Sequence, residues 1–130
     1  MHYQGLGHVA VYTENIEESI AFYEKIGGAA QKRSDVPTDK GIKKLALVSF
    51  GGIVLELIQD VNPMPLGIGN VPHFAILVDD VDAAAAEIKA AGVDTFKTPE
   101  KNIMPHLFDG LENWFFLGPS GEQIELLKNW

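Results

Sequence analysis

The amino-acid sequence predicts an α+β fold made of two tandem βαβββ modules with curved mixed sheets, and an internal repeat is the main reason. His8-Val-Ala-Val-Tyr-Thr-Glu-Asn-Ile16 is echoed by His73-Phe-Ala-Ile-Leu-Val-Asp-Asp-Val81, 65 positions later. The match continues without a gap, placing Ile20 on Ala85, Ile26 on Ala91 and Gly27 on Gly92. A second pair closes each half: Val54-Leu-Glu56-Leu against Gln123-Ile-Glu125-Leu, at an offset of 69. A repeat of this length is one supersecondary unit used twice, and each copy alone lacks a partner for its apolar face. Strand-like and helix-like periods also follow one another in the same order in both halves, which predicts the module type.

The elements follow in order. Gly7 to Thr13 is short, apolar and β-branched, as a strand buried on one face would be. Asn15 can cap a helix, with Glu18 three positions on as in a capping box. Ile16, Ile20, Tyr23 and Ile26 recur at helical spacing, and Gly27-Gly28 stops the helix. Ala29 to Arg33 is a weak strand candidate, and Ser34 to Gly41, with Pro37 and several charges, reads as a loop. Leu45 to Phe50 and Ile53 to Gln59 form a hairpin about Gly51-Gly52.

The second copy repeats this plan. Val71 to Val78 is its strand, Asp80 its helix cap, Val81 to Ala91 its helix, and Gly92 the stop. Val93 to Lys97 reads as a short strand and Thr98 to Gly110 as a long irregular loop that covers a site. Asn113 to Leu117 and Glu122 to Lys128 close the copy around Gly118-Pro119-Ser120-Gly121. Residues 1–130 are expected to form a single domain, with modules at about 1–61 and 70–130. Linker 62–69 between them is marked by Pro63, Pro65, Gly67 and Gly69.

Composition narrows the function classes. The formal net charge is −8, with one arginine, Arg33, so the balance repels phosphate backbones and argues against a nucleic-acid partner. Lys40, Lys43 and Lys44 form the noticeable basic cluster. No apolar run approaches the length of a membrane helix, so no membrane partner is expected. There is no cysteine, hence neither a disulfide nor a thiolate ligand. Met1-His2-Tyr3-Gln4 leads directly into the first strand without a basic-plus-apolar leader, and a cytoplasmic location is expected.

The repeat keeps one His near each half's start and one Glu near its end. Strand side chains alternate between faces, so His8 shares its face with Ala10 and Tyr12, and Glu56 shares its face with Val54 and Ile58. Glu125 lies between Gln123 and Leu127, a part-polar face. A lone carboxylate among apolar neighbours costs several kcal/mol or takes up a proton, and a shared divalent cation removes that cost. Two imidazoles and two carboxylates would leave a neutral M²⁺ site. A single His or Glu in a strand is more often an ordinary core or surface residue, and a repeat also duplicates structural residues. It is the recurrence of both residue types together that points to a metal.

On Gly7-His8-Val-Ala-Val, the Asn15-Ile-Glu-Glu-Ser-Ile-Ala-Phe-Tyr23 helix, Leu55-Glu56-Leu57, Pro72-His73-Phe and Gly121-Glu-Gln-Ile-Glu125-Leu, the chain resembles the vicinal oxygen chelate superfamily. That group includes glyoxalase I, methylmalonyl-CoA epimerase, extradiol dioxygenases and fosfomycin- and bleomycin-resistance proteins. The resemblance covers nearly the whole chain and implies His8, Glu56, His73 and Glu125 as metal ligands, a set similar to that of glyoxalase I. It implies a homodimer as the assembly, and the donor set itself suits Ni, Zn, Co or Mn as the ion. Glutathione-type glyoxalase I places an Arg four residues after the first His, where this chain has Tyr12.

The expected activity is a metal-dependent glyoxalase-like lyase or isomerase, similar to lactoylglutathione lyase. The small-molecule substrate would carry oxygens on adjacent carbons and lose a carbon-bound proton. By analogy Glu125 is the base and Glu56 its pseudo-symmetric counterpart. Four protein ligands saturate tetrahedral zinc, so a five- or six-coordinate ion suits catalysis better. The alternative is a non-catalytic binding or resistance protein with aromatic walls from Trp114, Phe116, Phe108, Tyr12 and Phe50, although core packing explains most of these. A dioxygenase or epimerase is a further alternative, the former with His106 as its acid–base candidate.

Overall fold

The computed structural model describes residues 1–2 and 4–130. The chain divides into two compact units, Met1–Pro65 and Leu66–Trp130, and the division falls in the Pro- and Gly-rich linker. The fold is α+β, with one four-stranded mixed sheet and one helix in each unit. Among the described residues no helix is long and apolar enough to cross a membrane.

The first unit runs β1 (Val9–Tyr12), α1 (Ile16–Lys25), β2 (Ala29–Thr38), β3 (Gly41–Phe50) and β4 (Ile53–Gln59). Its strands lie in the order β1-β4-β3-β2, with β1 parallel to β4 and the other pairs antiparallel. Ile16, Ile20 and Tyr23 of α1 are buried, as are Val48 and Phe50 of β3 and Leu55 and Leu57 of β4. Burying each large apolar side chain contributes about 1.5–3 kcal/mol before entropy is counted. Tyr23 and Phe50 sit with ring centroids 5.3 Å apart. The periodicity read from the sequence therefore fixes which face of α1 meets the sheet.

Asn15 caps α1 by accepting a hydrogen bond from Glu18 N at 3.1 Å. The box is half formed, because Asn15 N donates to Thr13 Oγ1 at 3.1 Å. Gln59 at the end of β4 accepts from Ile16 N at 2.8 Å, tying the helix start to the sheet. At the other end Gly28 N donates to Tyr23 O at 2.7 Å, and a Cβ at Gly28 would lie 2.8 Å from that same oxygen.

The second unit repeats the plan with β5 (Phe74–Leu77), α2 (Val81–Ala90), β6 (Asn102–Met104), β7 (Leu111–Leu117) and β8 (Gln123–Asn129). The order β5-β8-β7-β6 reproduces that of the first sheet. Equivalent backbone bonds recur: Thr13 N to Ile58 O is matched by Val78 N to Leu127 O, both 2.9 Å. Asp80 caps α2 through Ala83 N at 2.9 Å. Val81, Ala85 and Ile88 of α2 are buried with Phe116, Ile124 and Leu126 of the sheet.

Three local expectations need correction. Ser34 to Gly41 is no loop, since β2 runs to Thr38 and Pro37 pairs with Ile42. Pro is tolerated there because β2 is an edge strand, where one side of the backbone needs no donor. Val93 to Lys97 is not a strand: Phe96 alone forms an isolated bridge, to Phe116. The 98–110 segment is not wholly irregular, because Asn102–Met104 pairs with β7.

Candidate metal centre

In the first unit, β1 and β4 lie side by side with Val9 opposite Leu55 and Ala10 opposite Glu56. Leu55 and Leu57 face the core, so Glu56 points to the face away from α1. His8, one residue before β1, has the same parity. Its Nε2 lies 3.6 Å from Glu56 Oε1, with the His side chain 46% and the Glu side chain 25% exposed. Leu47 of β3 stands opposite Glu56 and is half-buried.

The second unit builds the same pair more tightly. Ala75 lies opposite Glu125 in the parallel β5–β8 ladder, and His73 precedes β5 by one residue. His73 Nε2 is 3.2 Å from Glu125 Oε1. The His73 ring meets Phe115 edge-on at 5.2 Å, and Phe115 is the residue paired with Glu125 in β7. Two donors each about 2.1 Å from one ion lie about 3.0–3.4 Å apart at right-angle to tetrahedral geometry. The 3.2 Å separation falls inside that range and the 3.6 Å one just beyond it, and imidazole with carboxylate is a donor set suited to Ni, Zn, Co or Mn.

The two carboxylates differ in their surroundings. Glu125 is buried, at 7% exposure, and accepts a hydrogen bond from Asn113 Nδ2 at 2.7 Å. Asn113 Oδ1 in turn accepts from Asn102 Nδ2 at 3.0 Å. Leu45 and Ser34 take the places of Asn113 and Asn102 in the first unit, as the equivalent ladder positions show. The flanks of Glu56 are the more apolar in sequence, yet Glu125 is the more deeply buried. Phe115 faces Glu125 across the hairpin and Asn113 bonds its carboxylate, neighbours that its own strand does not reveal. The sequence reading missed both asparagines. Hairpin register was the available signal, since pairing Leu117 with Gln123 puts Asn113 on the Glu125 face.

Among the described residues no three or more His, Cys, Asp or Glu side chains form one cluster, so the geometry on hand is that of two His–Glu pairs. His106 and His2 are exposed, and His106 lies in the turn after β6. Arg33 stands opposite Ala46, on the helix side of β2, and pairs with Glu17 of α1 through Nη1 and Nη2 of its guanidinium. That hydrogen bond holds the Glu17 carboxyl below its ordinary range and raises the Arg33 guanidinium. Arg33 is thus on the face opposite Glu56. Of the five aromatics offered as ligand walls, Trp114, Phe116 and Phe50 are buried in the cores, while Tyr12 and Phe108 are exposed.

The chain is 31% identical over 127 residues to the uncharacterized protein YwbC of Bacillus subtilis, covering 95% of this chain and 96% of that one. It is also 31% identical to a "Probable lactoylglutathione lyase" of Vibrio cholerae, covering 94% of this chain and 88% of the other. Among solved structures, a glyoxalase family protein from Enterococcus faecalis superposes with a TM-score of 0.74 at 23% identity, over 98% and 99% of the two chains. The fosfomycin resistance protein FosX of Listeria monocytogenes, complexed with Mn(II) and sulfate ion, superposes with a TM-score of 0.68 at 19% identity, over 98% and 94%. These likenesses at low identity support the fold alone. The family model of the Glyoxalase/Bleomycin resistance protein/Dioxygenase superfamily matches residues 5–126, and this chain belongs to that superfamily.

Proposed function

We propose that this chain is a metal-dependent lyase or isomerase of the glyoxalase type, acting on a small substrate with oxygens on adjacent carbons. The proposed ligands are His8, Glu56, His73 and Glu125, for a divalent Ni, Zn, Co or Mn ion, whether drawn from one chain or from two in a homodimer. A cytoplasmic location belongs to the same reading. The observation that carries it is the repeated His–Glu pair: each unit brings one imidazole and one carboxylate to ligand spacing at equivalent strand positions. The 31% identity to a "Probable lactoylglutathione lyase" supports the reaction class, and the imidazole–carboxylate donor set supports the type of ion.

When bound, the ion would supply Lewis-acid stabilisation of negative charge on the substrate oxygens. The protein's part is proton transfer. Asn113 holds Glu125 Oε2, which fixes the carboxylate's orientation and leaves Oε1 toward His73. A fixed carboxylate can take a proton from the carbon beside the chelated oxygen and return it to the neighbouring carbon. Glu56, half-buried and paired only with His8 among the contacts described, is its counterpart from the other unit. Tyr12 stands where glutathione-type enzymes carry Arg, and the net charge is −8, so glutathione is a poor fit as the thiol.

The test is an activity screen of protein purified without chelator, using methylglyoxal with several thiols and Ni²⁺, Co²⁺, Mn²⁺, Zn²⁺ and Fe²⁺. Metal-dependent conversion is the expected result. No turnover with any thiol or metal, together with tight binding of an aromatic compound by metal-free protein, would favour a sequestering protein of the same fold.

A further inference from the structure

Beside His73 the second unit holds a cavity of about 290 Å³ lined by His73, Lys97, Thr98, Asn102, Phe115 and Gln123. No carboxylate is among those lining residues, and apart from the histidine Lys97 is their one ionisable group. A lysine placed in this way in a chain of net charge −8 calls for a reason. Its ammonium donates to Gln123 Oε1. Gln123 is buried and donates its own Nε2 to Pro72 O at 2.8 Å, so the amide oxygen is the end turned toward Lys97. Gln123 stands one ladder position from the Phe74–Ile124 pair, level with His73 and two residues before Glu125.

The Lys97–Gln123 bond is not needed to anchor this segment. Lys97 N already donates to Phe115 O at 2.9 Å, and Trp114 Nε1 donates to Thr98 O at 3.1 Å. The bond fixes the ammonium of an otherwise exposed lysine on Gln123, a fellow lining residue of the cavity, and two of its three donors remain for something else. We propose that the cavity is a subsite for a second anionic group of the substrate, a carboxylate or phosphate on the carbon chain that follows the two metal-binding oxygens, with Lys97 as its partner. The proposal rests on the metal reading of His73 and Glu125 and narrows the substrate to a hydroxy or oxo acid that carries one further anion.

The test is titration calorimetry on metal-loaded protein with two matched pairs of probes. Malate adds a carboxylate to lactate, and 3-phosphoglycerate adds a phosphate to glycerate. At least one probe with the added anionic group should bind about tenfold more tightly than its parent, the usual scale for one charge-assisted hydrogen bond. Lys97→Gln should erase that preference, while Lys97→Arg should keep it. Preference for malate alone identifies a carboxylate subsite, and preference for 3-phosphoglycerate alone a phosphate subsite. If wild-type protein shows no preference, or binds none of the probes, the proposal is overturned without recourse to a variant. A preference that survives Lys97→Gln overturns it as well. The same Lys97-dependent preference in chelated protein would keep the subsite and remove the metal reading, so the two failures are distinguishable.

Discussion

Glu125 shows how much a single neighbour decides. Its carboxylate is buried beside Phe115, and the Asn113 amide supplies the hydrogen bond that makes the burial tolerable. Asn113→Ala should therefore destabilise metal-free protein by about 1–3 kcal/mol, the cost of an unsatisfied buried acceptor, as read from urea unfolding. Asn102→Ala removes a more remote link and should cost less. Glu125→Gln keeps volume and an acceptor oxygen for Asn113, so the fold should persist. Turnover should fall about 10²- to 10⁴-fold, the usual loss for one general base. Turnover unchanged in that variant would place the base elsewhere. The pairing of His8 with Glu56 and of His73 with Glu125 was legible because the repeat states each residue type twice. The two asparagines were not, since an Asn in a strand looks like an ordinary solvent-facing residue until the hairpin register is known.

At the scale of elements, both helix caps read correctly from sequence, because Asn15 and Asp80 act through short local hydrogen bonds. Asn15→Ala and Asp80→Ala should each cost about 0.5–2 kcal/mol, measurable by thermal or urea denaturation. Elements held by long-range pairing were harder to read. All ten residues of β2 are exposed, so no alternation of apolar and polar residues marks it as a strand. β6 is three exposed residues whose partner strand lies several positions on. Lys101 just before β6 bonds Asp82 at 2.7 Å and Glu112 at 3.0 Å, and these carboxylates, Asp82 first, raise its ammonium above the ordinary lysine value of 10.5. A raised folded value means that the contribution is complete below pH about 10.5 and disappears as pH rises through the higher folded value. Lys101→Met should accordingly lower the urea midpoint at neutral pH, and the difference from wild type should shrink under strongly alkaline conditions. A difference independent of pH would mean that packing of the lysine stem matters more than its charge.

For the molecule as a whole, the repeat is visible at every level: in the sequence, in the strand order of each sheet, and in individual backbone bonds such as those of Thr13 and Val78. The two copies have nonetheless diverged on the face away from the helix. The first surrounds Glu56 with Leu45, Leu47, Val54 and Ile58, whereas the second surrounds Glu125 with Asn113, Phe115 and Gln123. The first copy holds a half-buried Glu56 beside an exposed His8, and the second a buried, hydrogen-bonded Glu125 beside a partly exposed His73 and a cavity with a lysine. The direct measurement is titration of chelated protein with Mn²⁺ or Ni²⁺, monitored by calorimetry with elemental analysis of the product, alongside His8→Ala and His73→Ala. About one ion per chain, with affinity lowered at least tenfold by either substitution, is the result predicted for ligands drawn from both units. An ion bound equally well by wild type and both variants, or no bound ion at all, would contradict it.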